Sequence, residues 1–92
     1  MAGTLELTVL TEGGVALKEP VVSIRAPGAA GYLGILHNHA PLVTTLSPGT
    51  LSWRQASGER WSARLGPGLL EVVRNQVTIL TERMSETAAA ER

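Results

Sequence analysis

Apolar and polar residues alternate along most of the chain with a period of two. Leu5, Leu7 and Val9 fall on one side of an extended segment, whereas Glu6 and Thr8 fall on the other. Because successive side chains of a β-strand point to opposite faces, this alternation indicates strands with one buried face and one wet face. The same pattern recurs in the segments 22–26, 51–54, 61–65 and 77–80. The pattern therefore predicts an all-β chain.

Glycine and proline residues separate these segments. The chain contains 10 Gly and 5 Pro, and they recur about every 8–12 residues, a spacing typical of short strands in β-sandwiches and barrels. We therefore expect a β-sandwich domain over residues 1–84. Residues 85–92 differ, because Ser85 is a suitable N-cap, Glu86 follows it and three alanines come next. We expect this tail to form at most a short helical stub, since so short a helix is unstable in isolation.

The segment from Gln55 to Glu59 has the composition of a hairpin loop. If the loop is centred on Ser57, Trp53 and Trp61 lie directly opposite each other and supply bulk to one layer of the core. A cross-strand aromatic pair of this kind contributes roughly 0.2–1 kcal/mol relative to an alanine pair. The same register places two arginines, at positions 54 and 60, opposite each other on the wet face. That juxtaposition is unfavourable unless an acidic group, such as one from a partner, lies nearby.

Composition excludes several classes of function. A length of 92 residues fits one domain, and eight basic residues balance eight acidic ones, which disfavours a nucleic-acid partner. The chain contains no Cys and no Asp, so a disulfide framework, a thiolate zinc site, an Asp-containing triad and an EF-hand are all excluded. The apolar runs are far shorter than the roughly 18 residues needed to span a bilayer, and no secretory signal is visible. We therefore expect a soluble domain without membrane insertion.

Two local motifs invite chemical hypotheses. His37 and His39 would point to the same face of a strand, yet the next acidic residue is Glu59, and a closed metal site needs three or four ligands. The glycines at 28, 31 and 34 suggest a phosphate cradle, but a strand-like run follows them instead of the required helix. We therefore favour a structural role for these residues, with His39 bonded to the backbone. We predict no catalytic residue, metal or cofactor.

The segment GYLGILHNHAPLVT at residues 31–44 resembles the signature of the epsilon subunit of F-type ATP synthases. Five further blocks continue the resemblance in order, at residues 5–11, 22–28, 46–49, 66–72 and 75–82. The resemblance therefore covers residues 4 to about 83. The resemblance implies a flattened ten-stranded β-sandwich. It also implies a non-catalytic subunit of the rotating central stalk, which binds the gamma subunit and the membrane c-ring, meets the alpha/beta head indirectly, and couples ion-driven rotation to ATP synthesis.

The resemblance also assigns candidate contact residues. The residues that match ring-facing positions belong to one loop, with one histidine expected close by: Ala29, Ala30, Gly31, Tyr32 and His39. The residues that match gamma-facing positions are Thr11, Ala40 and Thr44. Family members often carry carboxylates in the ring-facing loop, whereas this chain has alanines and a tyrosine. We therefore expect a stacking or apolar contact through Tyr32, whose ring suits a half-wet interface.

Members of the family commonly continue into a C-terminal helical hairpin. Residues 85–92 match the start of that hairpin, so we expect the present chain to lack the inhibition and ATP sensing attributed to it. The resemblance further implies a peripheral location at the cytoplasmic face of a bacterial inner membrane. Two alternatives remain open. One is a free-standing β-sandwich adaptor or ligand-binding module, and the other is a small metal-dependent β-barrel enzyme that uses His37 and His39.

Overall fold

The computed structural model describes residues 3–86, which form ten strands. This confirms the predicted all-β class and the strand count that the resemblance implies. Each strand begins or ends near a glycine, proline or polar turn, as the sequence pattern predicts. The strands are β1 (Leu5–Thr11), β2 (Gly14–Val21), β3 (Ser23–Gly28), β4 (Gly31–Leu36), β5 (Leu42–Leu46), β6 (Gly49–Arg54), β7 (Arg60–Leu65), β8 (Gly68–Val73), β9 (Gln76–Thr81) and β10 (Met84–Glu86).

The strands are hydrogen-bonded in the order β10-β7-β6-β3-β5-β8-β9-β1-β2, with β4 paired to β3. Every pairing is antiparallel except that of β1 with β9, which is parallel. Strand β3 joins the two halves of the sandwich, because residues 23–25 pair with β6 whereas Gly28 pairs with Leu46 of β5. We call the half containing β4, β3, β6, β7 and β10 the first sheet, and the half containing β5, β8, β9, β1 and β2 the second sheet.

The inner faces of both sheets enclose one hydrophobic core. A hydrogen bond also crosses between the sheets, since Trp53 Nε1 of β6 donates to Glu19 Oε2 of β2 at 2.6 Å. The buried core residues come from strands β1 to β9, and β2 contributes its last residue, Val21. They occupy alternate positions, as the period of two predicts. They are Leu5, Leu7, Val9, Val21, Ile24, Ala26, Ile35, Leu46, Leu51, Trp53, Ala63, Leu65, Leu70, Val72, Val77 and Ile79.

The hairpin between β6 and β7 has the predicted register. Trp53 pairs with Trp61, and Arg54 pairs with Arg60. The loop closes through a hydrogen bond from the Gln55 N–H to the Glu59 carbonyl at 2.9 Å. Trp53 is buried in the core, whereas Trp61 is half-buried and packs against it. Two neighbouring strands with a short loop fix this register locally, which is why the sequence could predict it.

The C-terminal part of the described chain differs from the expectation. Ser85 and Glu86 lie in β10 and pair with Arg64 and Ala63 of β7, so no helix begins at Ser85. The edge of β7 offers unpaired backbone groups, and hydrogen bonding to this edge outweighs the weak preference of a short helix. Residues 87–92 of the expected stub lie outside the described residues. Within residues 3–86, no helix is long and apolar enough to cross a membrane.

Candidate functional site

The turn between β3 and β4 contains most of the residues predicted to face the ring. Ala29 and Ala30 are exposed, and Gly31 adopts a φ of +134°, which a residue with a side chain rarely tolerates. The Ala29 N–H donates to the Thr45 carbonyl at 3.1 Å, which ties the turn to β5. The turn is therefore a small, backbone-anchored projection at one end of the sandwich.

Tyr32 lies beside this turn and is held in place on the outer face of the first sheet. Its hydroxyl accepts a hydrogen bond from the Thr50 N–H at 3.1 Å, and the Arg25 guanidinium lies 4.3 Å from the centre of its ring. The side chain is 47% exposed. An aromatic ring with one exposed face and fixed neighbours can contact a partner at a small entropic cost.

The structure does not bring His39 close to that turn. The His39 N–H donates to the Leu36 carbonyl at 3.0 Å, so the histidine lies beyond the far end of β4. Because β4 contains six residues, the two ends are separated by about 17 Å. The ring-facing set predicted from the resemblance is therefore split between the two ends of one strand.

The positions of the two histidines also disagree with the arrangement that the metal hypothesis requires. His37 and His39 lie in the connection after β4 and not on a strand, so they do not share a strand face. His39 is half-buried, and its Nδ1 donates to the Ala40 carbonyl at 2.7 Å, which agrees with the expected bond to the backbone. The described residues contain no group of three or more His, Cys, Asp or Glu side chains that could hold a metal ion.

The predicted gamma-facing residues also lie at opposite ends. Thr11 ends β1 and its hydroxyl accepts from the Gly13 N–H at 3.2 Å. Thr44 lies in β5 and Ala40 lies in the loop that precedes this strand. Strand pairing aligns the Thr11 end of β1 with the C-terminal end of β5. Thr11 and Ala40 therefore lie at opposite ends of the second sheet, with Thr44 between them.

An exposed apolar patch occupies the outer face of the second sheet, and sequence reasoning missed it. Val43, Leu69 and Leu80 are exposed at 69%, 45% and 48%, respectively. They line a shallow hollow of about 190 Å³ together with parts of Glu71 and Thr78. We refer to Val43, Leu69 and Leu80 as the apolar patch. Contiguous exposed apolar side chains typically mark an interaction surface.

A sequence signal for this patch does exist. Leu69 precedes the buried Leu70, and Leu80 follows the buried Ile79. When two apolar residues are adjacent in a strand, one of them must point away from the core. Both pairs therefore break the strict alternation and leave an apolar side chain on the wet face. What the pattern cannot show is that β5, which carries Val43, lies beside β8.

Comparisons with known proteins agree with this fold. Residues 4–87 match the family model described as ATP synthase, Delta/Epsilon chain, beta-sandwich domain. The ATP synthase epsilon chain of Desulfatibacillum aliphaticivorans is 35% identical over 82 residues, which cover 89% of this chain and 58% of that protein. The corresponding chain of Koribacter versatilis is 42% identical over 82 residues, with coverage of 89% and 57%. The chain thus spans less than two thirds of the length of these relatives.

Solved structures give the same result. A chain in the cryo-EM structure of the Euglena gracilis mitochondrial ATP synthase with its c-ring superposes with a TM-score of 0.87 at 25% identity, covering 94% of this chain and 55% of that one. A chain from the central stalk and c-ring of the Tetrahymena thermophila enzyme superposes with a TM-score of 0.72 at 21% identity, covering 87% and 64%, and supports the fold alone. The family model matches residues 4–87, which include all ten described strands. The chain therefore belongs to the family of ATP synthase delta/epsilon chain β-sandwich domains.

Proposed function

We propose that this chain acts in the rotating central stalk of an F-type ATP synthase, where it binds the gamma subunit and the c-ring. In this role it transmits torque, helps couple ion-driven rotation to ATP synthesis, and meets the alpha/beta head only indirectly. The observation that carries the proposal is the family match over residues 4–87, which includes every described strand. We assign no catalytic residue to the chain, and we place it peripherally at the cytoplasmic face of a bacterial inner membrane.

The apolar patch supports a specific site for the gamma subunit. Val43 directly precedes Thr44, and Leu80 pairs with Leu10, which directly precedes Thr11. The backbone at two of the three predicted gamma-facing residues thus borders the patch, although the side chains of Thr44 and Thr11 point to the opposite face of the sheet. Ala40 lies at the other end of the sheet. Burial of exposed apolar surface is favourable by about 25 cal/mol per Å², so the patch can supply binding energy to an apolar partner surface. We therefore propose the apolar patch as the centre of the gamma-binding surface.

The turn at residues 29–31, together with Tyr32, supports a ring contact. Its small residues project from the end of the sandwich, and the fixed tyrosine ring lies directly beside them. A contact through this turn is apolar or stacking in character, since the turn contains no carboxylate. His39 lies outside this proposed contact because it is at the far end of β4.

Substitution of Leu80 by Glu tests the gamma surface. The new carboxylate would be desolvated in an apolar interface, so we expect the affinity for purified gamma to fall at least about tenfold, equivalent to about 1.4 kcal/mol. The matched control is Leu36→Glu, because Leu36 is 62% exposed and lies on the other sheet. Circular dichroism confirms folding of both variants. Equal retention of gamma by the two variants would contradict the proposed surface.

Substitution of Tyr32 by Ala tests the ring contact separately. We expect weaker retention of the variant on the detergent-solubilised c-ring, because the aromatic contact area is removed. Binding to gamma should be unchanged, since Tyr32 and the apolar patch lie on different sheets. A variant that assembles on the ring as well as the parent chain would refute the contact. If the parent chain binds neither gamma nor the c-ring, the result would favour a free-standing adaptor.

A further inference from the structure

The outer face of the first sheet carries a cluster of basic side chains. Four of the eight basic residues in the chain point outward from β3, β6 and β7, and all four are exposed. We refer to them as the arginine face: Arg25, Arg54, Arg60 and Arg64. Strand pairing brings them together, because Arg54 pairs with Arg60, Arg25 pairs with Ser52, and Arg64 pairs with Thr50.

Strands β3, β4, β6 and β7 contain no Glu, and the chain has no Asp. Acidic residues flank these strands at Glu59, in the hairpin loop before Arg60, and at Glu86, the last residue of the edge strand β10. Within residues 3–86 the ion pair that forms joins Arg83 to Glu82 and involves none of these four arginines. Like charges directly opposite each other on adjacent strands are destabilising. Since any polar residue would satisfy an exposed strand position, the fold itself does not require Arg54 opposite Arg60.

The shape of the surface leaves room for another molecule. An open hollow of about 370 Å³ lies among Arg25, Arg54 and Arg60, and the small side chains of Ser23 and Ser52 also line it. A guanidinium presents a planar fork of donors that binds a carboxylate through two parallel hydrogen bonds. Short serine side chains between long arginines let an incoming carboxylate approach the guanidinium groups from above the sheet.

The extent of the arginine face favours a polypeptide as the partner. Arg60 and Arg64 are four residues apart on one strand, so the cluster extends over about 13 Å. A helix with a Glu at every fourth residue places about three carboxylates over about 12 Å. A single small anion would engage only one end of the cluster. Tyr32 lies at the margin through its contact with Arg25, and Arg and Tyr are both enriched in protein interfaces.

We propose that the arginine face docks an acidic segment of a partner protein, with about three carboxylates spaced along one side of a helix or strand. The surface lies on the opposite sheet from the apolar patch, so both surfaces can be occupied at the same time. The proposal does not depend on the identity of the gamma or ring contacts.

A synthetic helical peptide provides the probe. It contains about 16 residues with Glu at every fourth position on an alanine background, and a second peptide has Gln at the same positions. The tryptophans that line the hollow, Trp53 and Trp61, report binding to the 92-residue chain by fluorescence. We expect the Glu peptide to bind, the Gln peptide not to bind, and the affinity to fall as salt is raised, because exposed charges are screened.

Two double variants with the same change in charge separate a site from general attraction. We expect Arg54→Glu with Arg60→Glu to weaken binding of the Glu peptide at least about tenfold. Lys18→Glu with Arg74→Glu places the same charges on the second sheet and in the β8–β9 turn, and should change the affinity less than about twofold. If the first double variant does not fold, Arg54→Gln with Arg60→Gln is compared with Lys18→Gln and Arg74→Gln, which remove the same charge.

The single variant Arg54→Glu distinguishes a docking surface from a structural one. The new carboxylate lies opposite Arg60, so the melting temperature should rise slightly while the affinity for the Glu peptide falls. A structural role would lower the melting temperature instead and overturn the proposal. Equal binding to the two double variants would also overturn it, as would a failure of the Glu peptide to bind. Binding of phosphatidylserine vesicles or tripolyphosphate to the arginine face without binding of the Glu peptide would also overturn the proposal.

Discussion

The two outer faces of the sandwich are built by the same alternating pattern, yet they carry different chemistry. The second sheet exposes Val43, Leu69 and Leu80, whereas the first sheet exposes the arginines, among them Arg54 and Arg60. The core constrains inward positions of both sheets to be apolar, but it leaves the outward positions free. The contrast between the outer faces is therefore not a requirement of folding. It supports the proposals that the second sheet binds the gamma subunit and that the first sheet docks an acidic segment of a partner protein.

The sharpest test of this contrast lies in two adjacent leucines. Leu70 is fully buried and Leu69 is 45% exposed, although they are neighbours in β8. We expect Leu70→Ala to lower the free energy of unfolding by about 2–5 kcal/mol, because it leaves a cavity in the core. Leu69→Ala should change it by less than about 0.5 kcal/mol. Urea denaturation of both variants measures the difference, and similar losses would show that the apolar patch serves stability.

Two glycines extend the comparison to the backbone of each sheet. A Cβ at Gly68 of β8 would collide with the Leu80 carbonyl of β9, whereas a Cβ at Gly34 of β4 would meet nothing within 4 Å. We therefore expect Gly68→Ala to destabilise the chain by about 1–3 kcal/mol through overpacking. Gly34→Ala should be neutral or slightly stabilising, since it restricts the unfolded chain. Thermal melts check both, and an unaltered Gly68→Ala variant would contradict the close approach.

Removal of the hydrogen bond between the sheets should cause the smallest of these losses in unfolding free energy. Glu19 Oε2 accepts from Trp53 Nε1 at 2.6 Å and from Gln55 Nε2 at 3.1 Å. We expect Glu19→Ala to cost about 1–2 kcal/mol of unfolding free energy, because the indole N–H of Trp53 is left without an acceptor. Glu12→Ala is the control, since Glu12 is exposed in the turn between β1 and β2. Equal stability of both variants would show that the bond does not hold the sheets together.

Local features of the fold could be predicted from the sequence. The alternation around Leu5, Trp53 and Val77 identifies the buried face of each strand, because the period of two is a property of a single strand. The register of Trp53 against Trp61 follows from the short hairpin loop. The outcome at Ser85 could not be predicted in the same way. Its helical pattern is weak, and the edge of β7 that captures it lies about 20 residues earlier in the chain.

The candidate site was only partly predictable for a related reason. The turn next to Tyr32 follows from the glycines that flank it, and Arg54 opposite Arg60 follows from the hairpin. The separation of His39 from that turn depends on how far β4 runs, and strand ends are set by pairing with neighbours. The grouping of Leu69 with Val43 depends on the pairing of β8 with β5, which joins distant parts of the chain.

The sequence by itself determined the strand class, the buried face of most strands and the family to which they belong, because all three depend on residue order and short-range periodicity. The tertiary structure decided which outward-facing side chains become neighbours. Val43, Leu69 and Leu80 come from three strands, and the arginines come from three others. The non-local pairings of β5 with β8 and of β3 with β6 bring them together. A surface formed in this way depends on the strand order, which local sequence patterns do not encode.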